Sequence, residues 1–315
     1  MRKASALIAT AGLVMAALTA CASPGTAQAS CDAPVSAGAA SELVKVSGDF
    51  GSAPEVTFPT PLKSASTQRT EVIAGSGDNI VPGQKITAEF NLYNGTTGAA
   101  IQQSAFDGST AVPIILNEST LPGFVDGLLC AQVGARVAIV IAPEDAFGPA
   151  GGNEQFQVAA TDSLVLVVDI VKAFLPRADG ADQLVANGLP AVVLDADGTP
   201  GIVVPSGDAP TELEIGVLKK GTGAKVLEDS TVTLNYTGVL WKDKTVFDSS
   251  WANGSPVEFV PTELIPGMAA ALTGQTVGSQ IVAVIPPTQA YGKTASGAVP
   301  ADSTLIFVFD ILGIN

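Results

Sequence analysis

Apolar positions along the chain fall mostly into short runs bounded by Gly, Pro, Asp and Asn, the pattern of turn-limited β-strands. In the C-terminal third these runs cover 212–219, 230–240, 256–260, 278–286 and 304–312. One segment between them reads as a helix. It begins near Pro266 and contains Met268-Ala269-Ala270-Ala271-Leu272, with Gly274 just beyond. Proline early and glycine after the end is the usual asymmetry of a helix. A lone short helix with one apolar side has to lie across a face of an antiparallel sheet. A hairpin is predicted over 192–205, where Asp197-Gly198 supplies turn chemistry.

The same order occurs twice. Ile86-Thr87-Ala88-Glu89-Phe90 returns as Val232-Thr233-Leu234-Asn235-Tyr236. Leu121-Pro122-Gly123-Phe124 returns as Ile265-Pro266-Gly267-Met268, and the run 163–170 returns as 304–311. The spacing shortens by a few residues toward the C-terminus, as loop deletions would make it. This is two copies of one unit and not a solenoid. The fold class is α+β, twice. Each copy is expected to be an antiparallel curved sheet wrapped round one short helix. The expected boundaries are 44–176 for the first unit, 177–199 for a linker and 200–315 for the second.

Arg2 and Lys3 precede an Ala-rich apolar stretch over 4–20. Its length and flanks suit a secretory signal better than a spanning helix. It ends in Leu18-Thr19-Ala20-Cys21, which resembles a bacterial lipobox. On that resemblance residues 1–20 are a signal peptide and Cys21 carries lipid. Residues 21–43, rich in Ala, Ser, Gly and Pro, then form a flexible tether. The protein is expected to be extracytoplasmic and anchored to the cell membrane. Cys31 and Cys130 are left, as a disulfide or as two buried thiols.

Composition narrows the chemistry. Apolar residues make up 47% and charged residues 14% of the 315, which excludes a disordered acidic protein. Histidine is absent, removing Ser-His-Asp and Cys-His nucleophilic catalysis and zincin sites. A net charge of −15 disfavours a nucleic-acid partner. No metal or cofactor is expected, and a monomer is.

Within the second copy, Gly221-Thr222-Gly223, Tyr236-Thr237-Gly238, Phe247-Asp248-Ser249-Ser250, Ile265-Pro266-Gly267 and Ala290-Tyr291-Gly292 follow in order. Glu212 to Asn315 thereby resembles the FKBP-type peptidyl-prolyl cis/trans isomerases. The resemblance implies a half-barrel sheet around the helix, with a shallow apolar slot that takes a prolyl ring. It implies that Tyr236, Phe247, Phe259, Ile265, Met268 and Phe307 bind substrate, while Asp248 and Tyr291 serve catalysis. Met268 stands where the family commonly has Trp, and Val257 where it often has another aromatic. The implied partners are X-Pro segments of unfolded, exported proteins. In the first copy the repeat sets Phe90 against Tyr236, Gln102 against Asp248 and Phe147 against Tyr291. Ile101, Leu121, Phe124 and Leu166 match Phe247, Ile265, Met268 and Phe307. All three polar groups are lost there, so that copy is expected to have weak or no isomerase activity. The competing expectation is a non-catalytic FKBP-like chaperone or binding lipoprotein.

Overall fold

The computed structural model describes residues 31–185 and 188–315, so the expected signal segment 1–20 and the expected lipid site Cys21 lie outside the described residues. Residues 31–315 form one compact unit with two sheet-based lobes. The first lobe runs β1 (Lys45–Ser47), β2 (Glu55–Thr57), β3 (Gln68–Ile73), β4 (Lys85–Asn94), β5 (Ala100–Gln103), β6 (Val112–Ile115), α1 (Pro122–Leu128), β7 (Arg136–Ile141), β8 (Gly152–Asn153), β9 (Val158–Ala159) and β10 (Leu164–Ala173). The second runs β11 (Ala181–Asp182), β12 (Ala191–Leu194), β13 (Pro200–Val203), β14 (Glu214–Lys220), β15 (Val232–Leu240), β16 (Val246–Ser249), β17 (Val257–Phe259), α2 (Pro266–Leu272), β18 (Gln280–Ile285) and β19 (Leu305–Ile314).

The repeat seen in the sequence is a repeat of topology. The first main sheet has strand order β3-β7-β10-β4-β5, with β6 also on β4. The second has β14-β18-β19-β15-β16, extended by β11 at the β14 edge, with β17 also on β15. All these pairings are antiparallel.

Central strands read as unbroken apolar runs because both faces of each sheet are covered. On β19, Leu305, Phe307, Phe309 and Ile311 point to the helix side, and Ile306 and Val308 point away. The away face is closed by the β12–β13 hairpin, through Val192, Ile202 and Val204. In the first lobe, Val165 and Val167 meet Val46 and Val56 of the β1–β2 ladder in the same way.

Each helix has only seven residues, too few to be stable alone. Its place is set by packing against the sheet. A Cβ on Gly267 would stand 2.3 Å from Ile285, and one on Gly123 would stand 2.1 Å from Ile141. Both Pro-Gly pairs therefore serve close approach of helix to strand.

Two expected boundaries change. Residues 31–43, expected to belong to a tether, fold onto the first lobe. Cys31 is disulfide-bonded to Cys130, and Ala40 and Ser41 are buried. Small polar residues allow this because they turn tightly: the Ser41 hydroxyl donates to the Gly38 carbonyl, and Gln68 Oε1 accepts from the Ala40 amide at 2.9 Å. Residues 177–199, expected as a linker, instead contain β11 and β12, which pair with β14 and β13.

The lobes are joined by backbone and side-chain contacts as well as by the continuous chain. The Leu175 amide donates to the Leu312 carbonyl at 3.0 Å, and the Ala178 amide to Asp310 Oδ2 at 2.9 Å. Buried Lys85 of β4 forms an ion pair with Glu258 of β17 and donates to Thr233 Oγ1 at 3.3 Å. The Phe174 ring lies under both Lys85 and Lys172, 4.6 and 4.7 Å from their ammonium nitrogens.

Candidate active site

The residues expected to form the slot come from five elements. Tyr236 lies on β15, Phe247 and Asp248 on β16, Phe259 on β17, Met268 on α2 and Phe307 on β19. Ile265 is the residue just before α2, and Tyr291 follows the turn after β18. Tyr236, Met268 and Phe307 are buried members of one apolar cluster, with Phe247, Val257, Phe259 and Ile265 packed half-buried against it. The Tyr236 ring lies 5.7 Å from Phe259 and 6.1 Å from Phe307, and Phe247 meets Phe307 edge-on at 5.5 Å. Edge and tilted contacts of this kind are favoured by the ring quadrupoles.

Strand register explains the convergence. Tyr236 is paired with Phe309, Gly238 with Phe307, and Gly238 also with Asp248. A Cβ on Gly238 would stand 2.6 Å from the Phe247 ring, so the glycine opens the space in which that ring lies. Ser250 fixes the bend beyond β16. Its hydroxyl accepts from the Tyr236 amide at 2.9 Å and donates to Asn235 Oδ1 at 2.9 Å.

Two kinds of polar group face the apolar walls. The Tyr236 hydroxyl donates to Asp248 Oδ2 in a short hydrogen bond. Burial, then Asp248 by hydrogen bond and charge, push the Tyr236 phenol far above its ordinary pKa, so it stays protonated. Asp248 is exposed and can accept further bonds. Tyr291 sits at the rim, 38% exposed, and adds to the upward push on Tyr236. The Tyr291 hydroxyl and the Ile265 amide have no hydrogen-bond partner among the described residues, leaving two donors for a ligand carbonyl.

Two contributors escaped the sequence reading. Phe309 stacks beneath Phe307 at 5.3 Å, and Ser250 holds β15 to the segment after β16. The double serine after Asp248 was the available signal for the second. A cavity of about 700 Å³ beside Trp241 shares no lining residue with the slot.

Comparison with known proteins agrees with the geometry. The family profile described as FKBP-type peptidyl-prolyl cis-trans isomerase matches residues 223–312. The chain is 41% identical over 111 residues to FK506-binding protein 2 of Yarrowia lipolytica, covering 33% of this chain and 76% of that protein. It is 35% identical over 113 residues to the probable FK506-binding protein of Corynebacterium glutamicum, covering 36% of this chain and 96% of that one. Among solved structures, FkpA from Escherichia coli is 31% identical, with 41% of this chain and 53% of that chain covered and a TM-score of 0.32. The family profile falls on the second lobe, and the chain belongs to the FKBP-type peptidyl-prolyl cis-trans isomerase family.

Proposed function

We propose that the second lobe catalyses cis/trans rotation of X-Pro bonds in exported, unfolded client proteins, and that the first lobe is a degenerate FKBP-like unit. Rotation about an amide breaks no σ bond. The barrier, about 18–20 kcal/mol, is the loss of resonance. In the twisted transition state the carbonyl is less dipolar, so an apolar, water-poor slot favours it over the planar ground state. A thousandfold acceleration needs only about 4 kcal/mol of such preference. Phe247, Phe259, Phe307 and Met268 bind the prolyl ring in this reading. The Ile265 amide and the Tyr291 hydroxyl hold flanking carbonyls, and Asp248 fixes Tyr236. The observation that carries the reading is convergence of these side chains around the Tyr236–Asp248 pair.

Export is supported by the signal-like residues 1–20 and by the Cys31–Cys130 disulfide, which persists in an oxidising compartment. We further propose lipid attachment at Cys21, location at the outer surface of the cell membrane, and a monomer. The test is a protease-free prolyl-peptide assay of the full chain beside an Asp248→Ala, Tyr291→Ala double variant. We expect kcat/KM to fall about 10–100-fold, the loss of about 1.5–3 kcal/mol of hydrogen bonding. Rates that are equal because both sit at the uncatalysed level would favour binding without turnover.

A further inference from the structure

The first lobe lacks the polar trio but not a pocket. A cavity of about 430 Å³ opens at its surface, lined by Phe90, Gln102, Val112, Ile114, Leu121 and Phe124 among others. These are register partners of the second-lobe slot. Leu92 pairs with Gln102 as Gly238 pairs with Asp248, and Ile86 pairs with Ile114 as Val232 pairs with Phe259. Leu121 and Phe124 hold the positions of Ile265 and Met268 around the helix start. The pocket is therefore the sibling of the slot, with Phe90 meeting Phe124 edge-on at 5.8 Å as its floor.

Its chemistry differs in one respect. Every lining residue is uncharged. Gln102 is exposed and its amide has no hydrogen-bond partner among the described residues. A carboxylate at this position only accepts; an amide both donates and accepts, which is what an extended peptide backbone requires. A volume of a few hundred cubic ångströms with apolar walls and few polar groups is typical of a small ligand site.

We propose that this pocket is a holding site: it binds an uncharged, proline-bearing stretch of the same unfolded client that the second lobe isomerises, without turning it over. The inference rests on the functional reading above. The two sites lie in one compact unit; in this proposal a long client engages both, and a short peptide one at a time. Such linkage raises affinity for long chains without any new contact.

The experiment is an amide NMR titration of the full chain with a ten-residue peptide carrying a single Leu-Pro pair between Gly and Ser. Two groups of shifted amides are expected, over 112–124 and over 236–307. Shifts in the second group alone overturn the proposal. Shifts in neither, or in the first alone, overturn it together with the slot reading. Ile114→Arg, or Gln102→Ala if the first variant does not fold, supplies the kinetic arm. The KM for catalysed refolding of a proline-limited unfolded protein should rise about tenfold, with kcat unchanged and tetrapeptide turnover kept. No change in KM, or a parallel fall in peptide and protein turnover, overturns the holding role.

Discussion

In the first lobe, Arg136 faces a fully buried carboxylate: its Nε donates to Asp169 Oδ1 at 2.6 Å and its Nη2 to Oδ2 at 2.8 Å. At the matching place in the second lobe, Gln280 Nε2 donates to Asp310 Oδ1 at 2.7 Å. The first lobe thus has a bidentate ion pair where the second has an amide and a lone acid. Burial pushes that Asp310 acid above its ordinary pKa. The slots differ in the opposite sense. Tyr236, Asp248 and Tyr291 give the second two hydroxyls and a carboxylate, whereas Phe90, Gln102 and Phe147 leave the first uncharged, with a single amide at those places. Residue sizes are exchanged as well: Gly238, over which the Phe247 ring lies, has Leu92 at its place in the first lobe, where Ile101 stands for Phe247. The contrast teaches that strand order and helix seat are kept by apolar alternation, while polar groups move freely between scaffold and slot.

That comparison is broken most directly at its ion pair. Arg136→Met strands a buried carboxylate and should cost about 3–5 kcal/mol. Gln280→Leu removes one neutral donor and should cost about 1–3 kcal/mol. Denaturant unfolding, with hydrogen exchange read lobe by lobe, measures both; equal losses would erase the distinction. Next comes the staple. Cys31 and Cys130 are 99 residues apart and enclose β1 to β6 and α1. Replacing both by Ser should destabilise the first lobe by roughly 2–4 kcal/mol. Exchange in β14–β19 should be unaffected, and a uniform increase would show the lobes to be one cooperative unit.

The smallest effect is expected between the lobes. The hydrogen bond from Lys85 holds the Glu258 carboxyl below its ordinary pKa. The folded state thus favours the ionised form. Its contribution is complete above the unfolded pKa, about 4.3, and is lost as pH falls through the lowered folded value. Amides of β4 and β17 should lose protection over that acid window, and Glu258→Gln should abolish the pH dependence.

Much of this was legible in the sequence. The helix at Pro266 and the long terminal strand follow from periodicity, and the repeat fixed which residues share a register. The slot was legible through family motifs, since no single Phe distinguishes a slot wall from ordinary core. Strand β16 was missed by pattern because Phe247-Asp248-Ser249 carries polar residues on a four-residue edge. The packing of 31–43 was hidden because small polar segments look like tethers until a distant partner such as Gln68 binds them. Lys85 was invisible for a related reason: nothing local says that its charge lies buried against another lobe.

The β12–β13 hairpin has a practical consequence for dissecting the chain. Severing it at residue 200 would separate Val192 from Ile202, unpair β12 from β13, and wet Val282, Val284, Ile306 and Val308. A second-lobe fragment made that way would be prone to clump before it could be assayed. Starting instead ahead of Ala178, whose amide reaches Asp310, retains β11, the hairpin and that tie.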